Sequence, residues 1–149
     1  MVYDFQRLPE RRFRVEFANA GEDYLFWMEL ASSGIQVVFS VHCEVRYGHG
    51  VNIYSGSGWG TEQHLLRIHN ELKYRKTTAR LYPLTTYQKA HLTHCIEDLR
   101  VSFARDLLHR LTHRKCLPLS TLWAHLQLDP LSFAKLPVYW VGFVVSRHG

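Results

Sequence analysis

Leu92, Ile96, Leu99, Phe103, Leu107 and Leu111 recur at steps of four, three, four, four and four residues. At 100° per residue these side chains stay on one face, so the spacing predicts an amphipathic helix from Thr85 or Thr86 to about Arg114. Such a helix carries an apolar stripe roughly 28 Å long, and water is a poor partner for it. Whatever else the 149 residues form must cover that stripe. A chain of this length suffices for one domain over residues 1–149 with a core of its own.

The first sixty residues read as the cover. Residues 12–17 alternate as Arg12, Phe13, Arg14, Val15, Glu16 and Phe17, the period of a half-buried strand with its aromatic side inward. Residues 24–31 are aromatic-rich and read as a second strand. Residues 35–47 form a third, with Val37, Phe39, Val41, Cys43 and Val45 on one face, and Gly48-His49-Gly50 turns into a fourth at 51–55. The expected fold class is therefore α+β: an N-terminal antiparallel meander of about four strands packed against the long helix. Leu99 and Phe103 are expected to meet Phe39 and Val41 in one core.

Between sheet and long helix, Thr61 is placed to cap a helix bearing Leu65, Ile68 and Leu72. Beyond it, short helices are expected from Leu119 or Ser120 to about Leu128 and from Asp129-Pro130 to Pro137. The apolar run at 138–145 has strand composition and is expected to return as an edge strand.

Charge is distributed unevenly. Residues 1–60 carry 5 basic and 7 acidic side chains, whereas 61–149 carry 13 and 6, together with eight of the ten histidines. A one-sided positive field attracts nucleic acid or an acidic protein surface. Lys73, Tyr74, Arg75, Lys76 and Arg80 form one cluster of cations around an aromatic ring, and Arg110, Arg114 and Lys115 form another, so nucleic acid is the preferred partner. Three cysteines do not make a disulfide scaffold. The charged N-terminus lacks the apolar core of a signal peptide, and 138–145 is too short to span a membrane. A cytoplasmic binding or regulatory protein without membrane contact or cofactor is expected, and enzymatic activity is not.

Three sets of residues carry alternative chemistry. His42, Glu44 and Arg46 project from one side of the third strand, and a base, an acid and a cation suffice to cleave RNA. In residue types the set resembles small microbial ribonucleases. The plainer reading is a wet sheet face of cross-strand charge pairs. His42-Cys43-Glu44 has the H-x-E of zinc deaminases, but no P-C-x-x-C follows. His109, His113 and Cys116 are of zinc-ligating types at local spacing, yet histidines near a helix C-terminus need no metal to explain them. The glycines of Gly56-Ser57-Gly58-Trp59-Gly60-Thr61 lead into a helix without the Lys-Ser/Thr of a phosphate loop, so a strand-to-helix connection is expected there.

Residues 119–136, LSTLWAHLQLDPLSFAKL, resemble a helix-turn-helix unit in the placing of Leu122, Trp123, Leu126, Leu128, Phe133 and Leu136. That resemblance implies DNA contact through the second helix, whose face would offer Ser132 and Lys135. PLSTLWAHLQL with Leu136-Pro137 also resembles the elongin-binding box of ubiquitin-ligase adaptors, with Trp123 at a position usually small. The second resemblance implies a protein partner held by Leu122, Trp123 and Leu126. An adaptor or inhibitor using these helices is the first alternative to nucleic-acid binding, and the ribonuclease the second.

Overall fold

The computed structural model describes residues 6, 9–17, 21–36, 42 and 58–145, with positions 144 and 145 described by backbone alone. The chain divides into two compact units, Met1–Gly50 and Val51–Gly149. No strand occurs among the described residues, and the elements are helical throughout, which corrects the α+β expectation.

In the first unit, residues 11–14 are irregular and Val15–Phe17 form one 3₁₀ turn, closed by the Phe17 N–H on the Arg14 carbonyl at 3.1 Å. Alternation over six residues does not force a strand, and the inward side does not hold: Phe17 is buried but Val15 is 88% exposed. Residues 24–31 lie within helix α1 (Glu22–Ser32), which buries Leu25, Phe26 and Leu30. No β-branched residue occurs in α1, Glu22 and Asp23 complement the helix dipole, and Gly21 enters at φ 81°. Those signals outweighed the aromatic content that suggested a strand. Phe13 packs on Phe26 at 4.5 Å between ring centroids, and Glu29 pairs with Arg11 and Arg14. The third and fourth expected strands lie outside the described residues except for Ile35, Gln36 and His42, which are not in strands. Phe39 and Val41, the expected partners of Phe103, lie outside them too.

The second unit is built on two helices, α2 (Glu62–Leu81) and α3 (Thr86–Thr112). The predicted long helix is therefore present. It begins at a capping box in which the Thr85 hydroxyl accepts from the Gln88 N–H and the Gln88 side chain accepts from the Thr85 N–H. Leu65 and Ile68 of α2 meet Phe103 and Leu107 of α3 in the core. Leu99, Leu117, Leu122, Phe133, Leu136 and Trp140 close over it. These last four come from α4 (Leu119–Leu128), α5 (Pro130–Ala134), and α6 (Leu136–Val145). The C-terminal helices thus cover the stripe that a sheet was expected to cover.

The 138–145 edge strand is likewise replaced, by α6. Leu136, Tyr139, Trp140 and Phe143 are half-buried while Val138 and Val141 are exposed, a helical and not an alternating spacing. Trp140 Nε1 donates to the Ala104 carbonyl at 2.9 Å, fixing α6 on α3. Pro137 does not end α5 but sits in the first turn of α6, where its missing N–H costs nothing.

A buried polar clasp joins these elements. Asp129, at the α4–α5 junction and 1% exposed, receives Arg100 through Nε at 2.7 Å and Nη2 at 2.8 Å. Lys76 Nζ approaches it at 3.0 Å and also donates to the Leu128 carbonyl. Ser132 Oγ donates to it at 2.6 Å. Burial alone would raise the Asp129 carboxyl, but hydrogen bonds from Arg100, Ser132 and Lys76 outweigh it and hold the group well below the usual carboxylate range. Glu97 extends the clasp to Lys135, Tyr139 and Arg100. Burial opposes ionisation there as well, and those donors bring the Glu97 carboxyl down to about 2.

His125 completes the arrangement, stacked on Phe103 at 4.1 Å and facing Ser132 Oγ through Nε2 at 3.1 Å. Because the Ser132 proton points to Asp129, Nε2 carries the imidazole proton, and the bare Nδ1 is buried without a partner. Burial, then the neighbouring His69, pushes the imidazole down to about 4.

Two outcomes follow from this core. Phe103→Ala is expected to cost about 3 to 5 kcal/mol, measured by denaturant unfolding, with a surface substitution such as Thr93→Ala near neutral. Between pH 6.5 and 4 the unfolded chain protonates His125 while the folded chain does not. That share of stability is intact above pH 6.5 and falls by about 3 kcal/mol on acidification to pH 4. His64 and His69, also lowered chiefly by burial, act in the same direction. Melting temperatures recorded across this range should fall less steeply in His125→Gln than in the parent chain, and equal slopes would contradict the assignment.

Candidate functional site

Gly60 precedes α2 and adopts φ 79°, a left-handed conformation that glycine takes without strain. Its N–H donates to Asp106 Oδ1 at 2.8 Å, and its carbonyl accepts from Lys115 Nζ at 3.2 Å. A Cβ here would lie 3.1 Å from His109 Nε2 and 3.3 Å from Lys115 Nζ. The start of α2 is thereby seated against the end of α3. Asp106, fully buried, also receives Arg110 Nε at 3.2 Å, and Arg110 Nη1 donates to the Cys116 carbonyl at 2.8 Å. His64 Nδ1 stands 3.5 Å from Asp106 Oδ1 without a hydrogen bond, and burial lowers its pKa against the pull of that carboxylate.

Helix α3 closes in a Schellman motif. The Lys115 N–H returns to the Arg110 carbonyl at 2.9 Å and the Arg114 N–H to the Leu111 carbonyl at 3.3 Å. Arg114 occupies the left-handed position at φ 51°, and no other described non-glycine residue has a positive φ. Glycine is the usual occupant because the Cβ of any other residue crowds the backbone there.

On this end stands a ladder of three rings. Trp59, 54% exposed, packs on His109 at 4.1 Å between centroids, and His109 packs on His113 at 4.0 Å. His113 Nδ1 lies 2.9 Å from the His109 carbonyl, so Nδ1 holds the proton and donates. Partial burial, followed by the positive charges of His113 and Lys115, lowers the His109 pKa. The end is electropositive, and because α2 starts where α3 stops, the favourable pole of the α2 dipole offsets the unfavourable pole of α3.

The predicted phosphate-contacting residues do not form one surface. Arg110 is 4% exposed and committed to Asp106 and Cys116. Lys76 belongs to the Asp129 clasp. Arg75 pairs with Glu71 at 2.9 Å and lies over the Tyr74 ring. Lys73 and Tyr74 are half-exposed and Arg80 exposed, on the part of α2 remote from Gly60. Arg80 lies about 28 Å along the helix axis from Thr61. Only Arg114 and Lys115 of the predicted set are exposed together with the ring ladder.

His42 is exposed, and Glu44 and Arg46 lie outside the described residues. His109 and His113 pack against each other with their rings tilted by 38°, Cys116 is exposed, and no group of three or more His, Cys, Asp and Glu side chains converges among the described residues. The helix-turn-helix likeness ends at α5, which has only five residues: Ser132 is buried and Lys135 is held by Glu97, so neither can read a base. Of the predicted protein-binding set, Leu122 packs on the core, Leu126 is half-buried, and Trp123 is 62% exposed.

Ser132, His125 and Asp129 have the residue types of a hydrolytic triad but not its order. A nucleophilic serine gives its proton to an imidazole that an acid orients. Here serine stands between the two, donates to the acid and is fully buried, so the set is part of the clasp. Asp106 and His64 were not singled out by sequence reasoning, and Trp59 and Gly60 only as part of a connection leading into a helix. The tryptophan flanked by glycines before a cap, and the Asp106–Arg110 pair one turn apart, were the available signals.

No protein-family model, curated protein or solved structure matches the chain.

Gly60→Ala combines a left-handed φ with a contact the imidazole must yield, and is expected to cost about 2 kcal/mol. Arg114→Gly removes the strain of the left-handed turn and is expected to raise stability by up to about 1 kcal/mol, net of the added chain entropy. Paired thermal melts of the two variants check both signs.

Proposed function

We propose that this chain is a non-enzymatic nucleic-acid-binding protein whose phosphate contacts are made by Arg114 and Lys115, with His113 beside them. The observation that carries the proposal is Arg114 itself. A cation occupies the one described non-glycine left-handed position, at a turn glycine would satisfy with less strain, and is exposed there. Backbone strain of this kind is concentrated at functional positions. The cations gathered at this end, which add to burial in lowering the His109 pKa, favour an incoming anion. Cys95 and Cys116 are both free thiols, in keeping with a reducing, cytoplasmic setting. No helix among the described residues is long and apolar enough to cross a membrane.

A second reading rests on Trp123 and on Leu119, one turn away and 73% exposed. Exposed aromatic and aliphatic anchors on one helix suit a protein partner. Trp123→Ala would abolish such binding and leave nucleic-acid affinity unchanged.

Fluorescence anisotropy with a labelled oligonucleotide across 50–300 mM salt tests the principal proposal. The double reversal Arg114→Glu, Lys115→Glu is expected to weaken binding and to reduce the slope of log K on log salt by about 1.5. Arg80→Glu, on the other part of α2, should leave both unchanged. Equal affinity and slope in the double variant would overturn the assignment.

A further inference from the structure

Resting on that reading, we infer that the nucleic acid taken by this end is single-stranded, with an unpaired base stacked on Trp59. One side of the indole packs on His109, yet 54% of the residue stays exposed, so the ring is held in place and still presents a surface. His109 is itself held from the far side by His113 at 4.0 Å, and His113 is fixed by its bond to the His109 carbonyl at 2.9 Å. A mobile exposed tryptophan would lose conformational entropy when a base docked. This one is largely ordered beforehand, and a base added to it becomes the fourth ring of an existing ladder.

The cations are placed for the strand that bears the base. Lys115 Nζ spends one donor on the Gly60 carbonyl, the residue after Trp59, and keeps its other N–H groups for phosphate oxygens. Arg114 adds a fork suited to phosphate at the adjoining turn. Stacking selects for single strands because in a duplex each base face is already covered by its neighbours. A base in a loop or free strand exposes a face at little cost. Neither expected duplex-reading device is available at this site: the five residues of α5 are too short to follow a groove, and Ser132 is buried. Stacking is tolerant of base identity, so a length-dependent and sequence-tolerant partner is implied.

The full chain is titrated by anisotropy with a labelled ten-nucleotide mixed-sequence strand and with the same strand annealed to its complement. The single strand should bind at least tenfold more tightly than the duplex. Trp59→Ala should weaken single-strand binding by about 5- to 100-fold while leaving duplex affinity and the salt slope unchanged, and Trp59→Phe should restore most of the loss. Thermal melts of both variants show whether the fold is kept, and the phenylalanine variant keeps the test decisive if alanine disturbs it. Equal affinities for strand and duplex, or a silent Trp59→Ala, would overturn the single-strand inference and leave the phosphate contacts standing. Absence of salt-dependent binding to either probe would overturn both.

Discussion

The second unit depends on one carboxylate. Asp129 ends α4, opens α5 and is buried, so its charge must be met inside the protein or the three C-terminal helices cannot seat. Arg100 from α3 meets it with two parallel hydrogen bonds, Lys76 from α2 with a third, and Ser132 from α5 with a fourth. A buried pair of this kind adds little compared with an apolar replacement, but leaving either partner alone is severe. Its effect is on arrangement: α4 and α5 can close over Phe103 and Leu107 only where the chain carries Asp129 to Arg100 and Lys76. Apolar contacts supply the driving force, and the carboxylate selects one packing among many that would bury similar area.

A second buried acid performs the corresponding service at the other end. Asp106 ties the Gly60 backbone to Arg110, and Arg110 ties α3 to the Cys116 carbonyl of the connection beyond it. The two acids lie 23 positions apart in sequence, and each has recruited an arginine of α3. This explains why basic residues that look like a binding surface in the sequence are largely occupied. Arg100, Arg110 and Lys76 belong to the interior, and the positive charge left outside is a smaller set gathered where α3 stops.

The helical part of this architecture was legible and the partner of its long helix was not. The Leu92–Leu111 spacing, Thr61 before α2, the pair Leu119–Leu128 and the Asp129-Pro130 junction all correspond to observed boundaries. Each is set by local chemistry: periodicity, a cap, or a proline at a helix start. The errors arise where local signals conflict. In 24–31 aromatic residues argued for a strand and the lack of β-branching for a helix. In 138–145 valines argued for a strand, although Leu136, Tyr139, Trp140 and Phe143 share a helical face. What covers an apolar stripe is a non-local question that periodicity cannot answer, because a sheet and a group of short helices bury it equally well. The candidate site was half legible. Arg114 and Lys115 were visible as charge, but which other cations were spent on Asp129 depended on contacts 29 and 53 positions distant, from Arg100 and Lys76.

The division of labour among cations also bears on how this unit can change without unfolding. Substitutions at Lys76, Arg100 or Arg110 strand a buried carboxylate, so their charge is constrained by the core. Arg114, Lys115 and Trp59 are exposed, although Trp59 also packs on His109 and Lys115 also holds the Gly60 carbonyl. The strained turn at Arg114 even opposes folding locally. An outward cation such as Arg114 is free to be tuned for a ligand, whereas the clasps at Asp129 and Asp106 must be kept. Stability and recognition are thus divided between inward and outward side chains, even where Asp106 and Arg110 lie beneath Arg114 at the same end of α3.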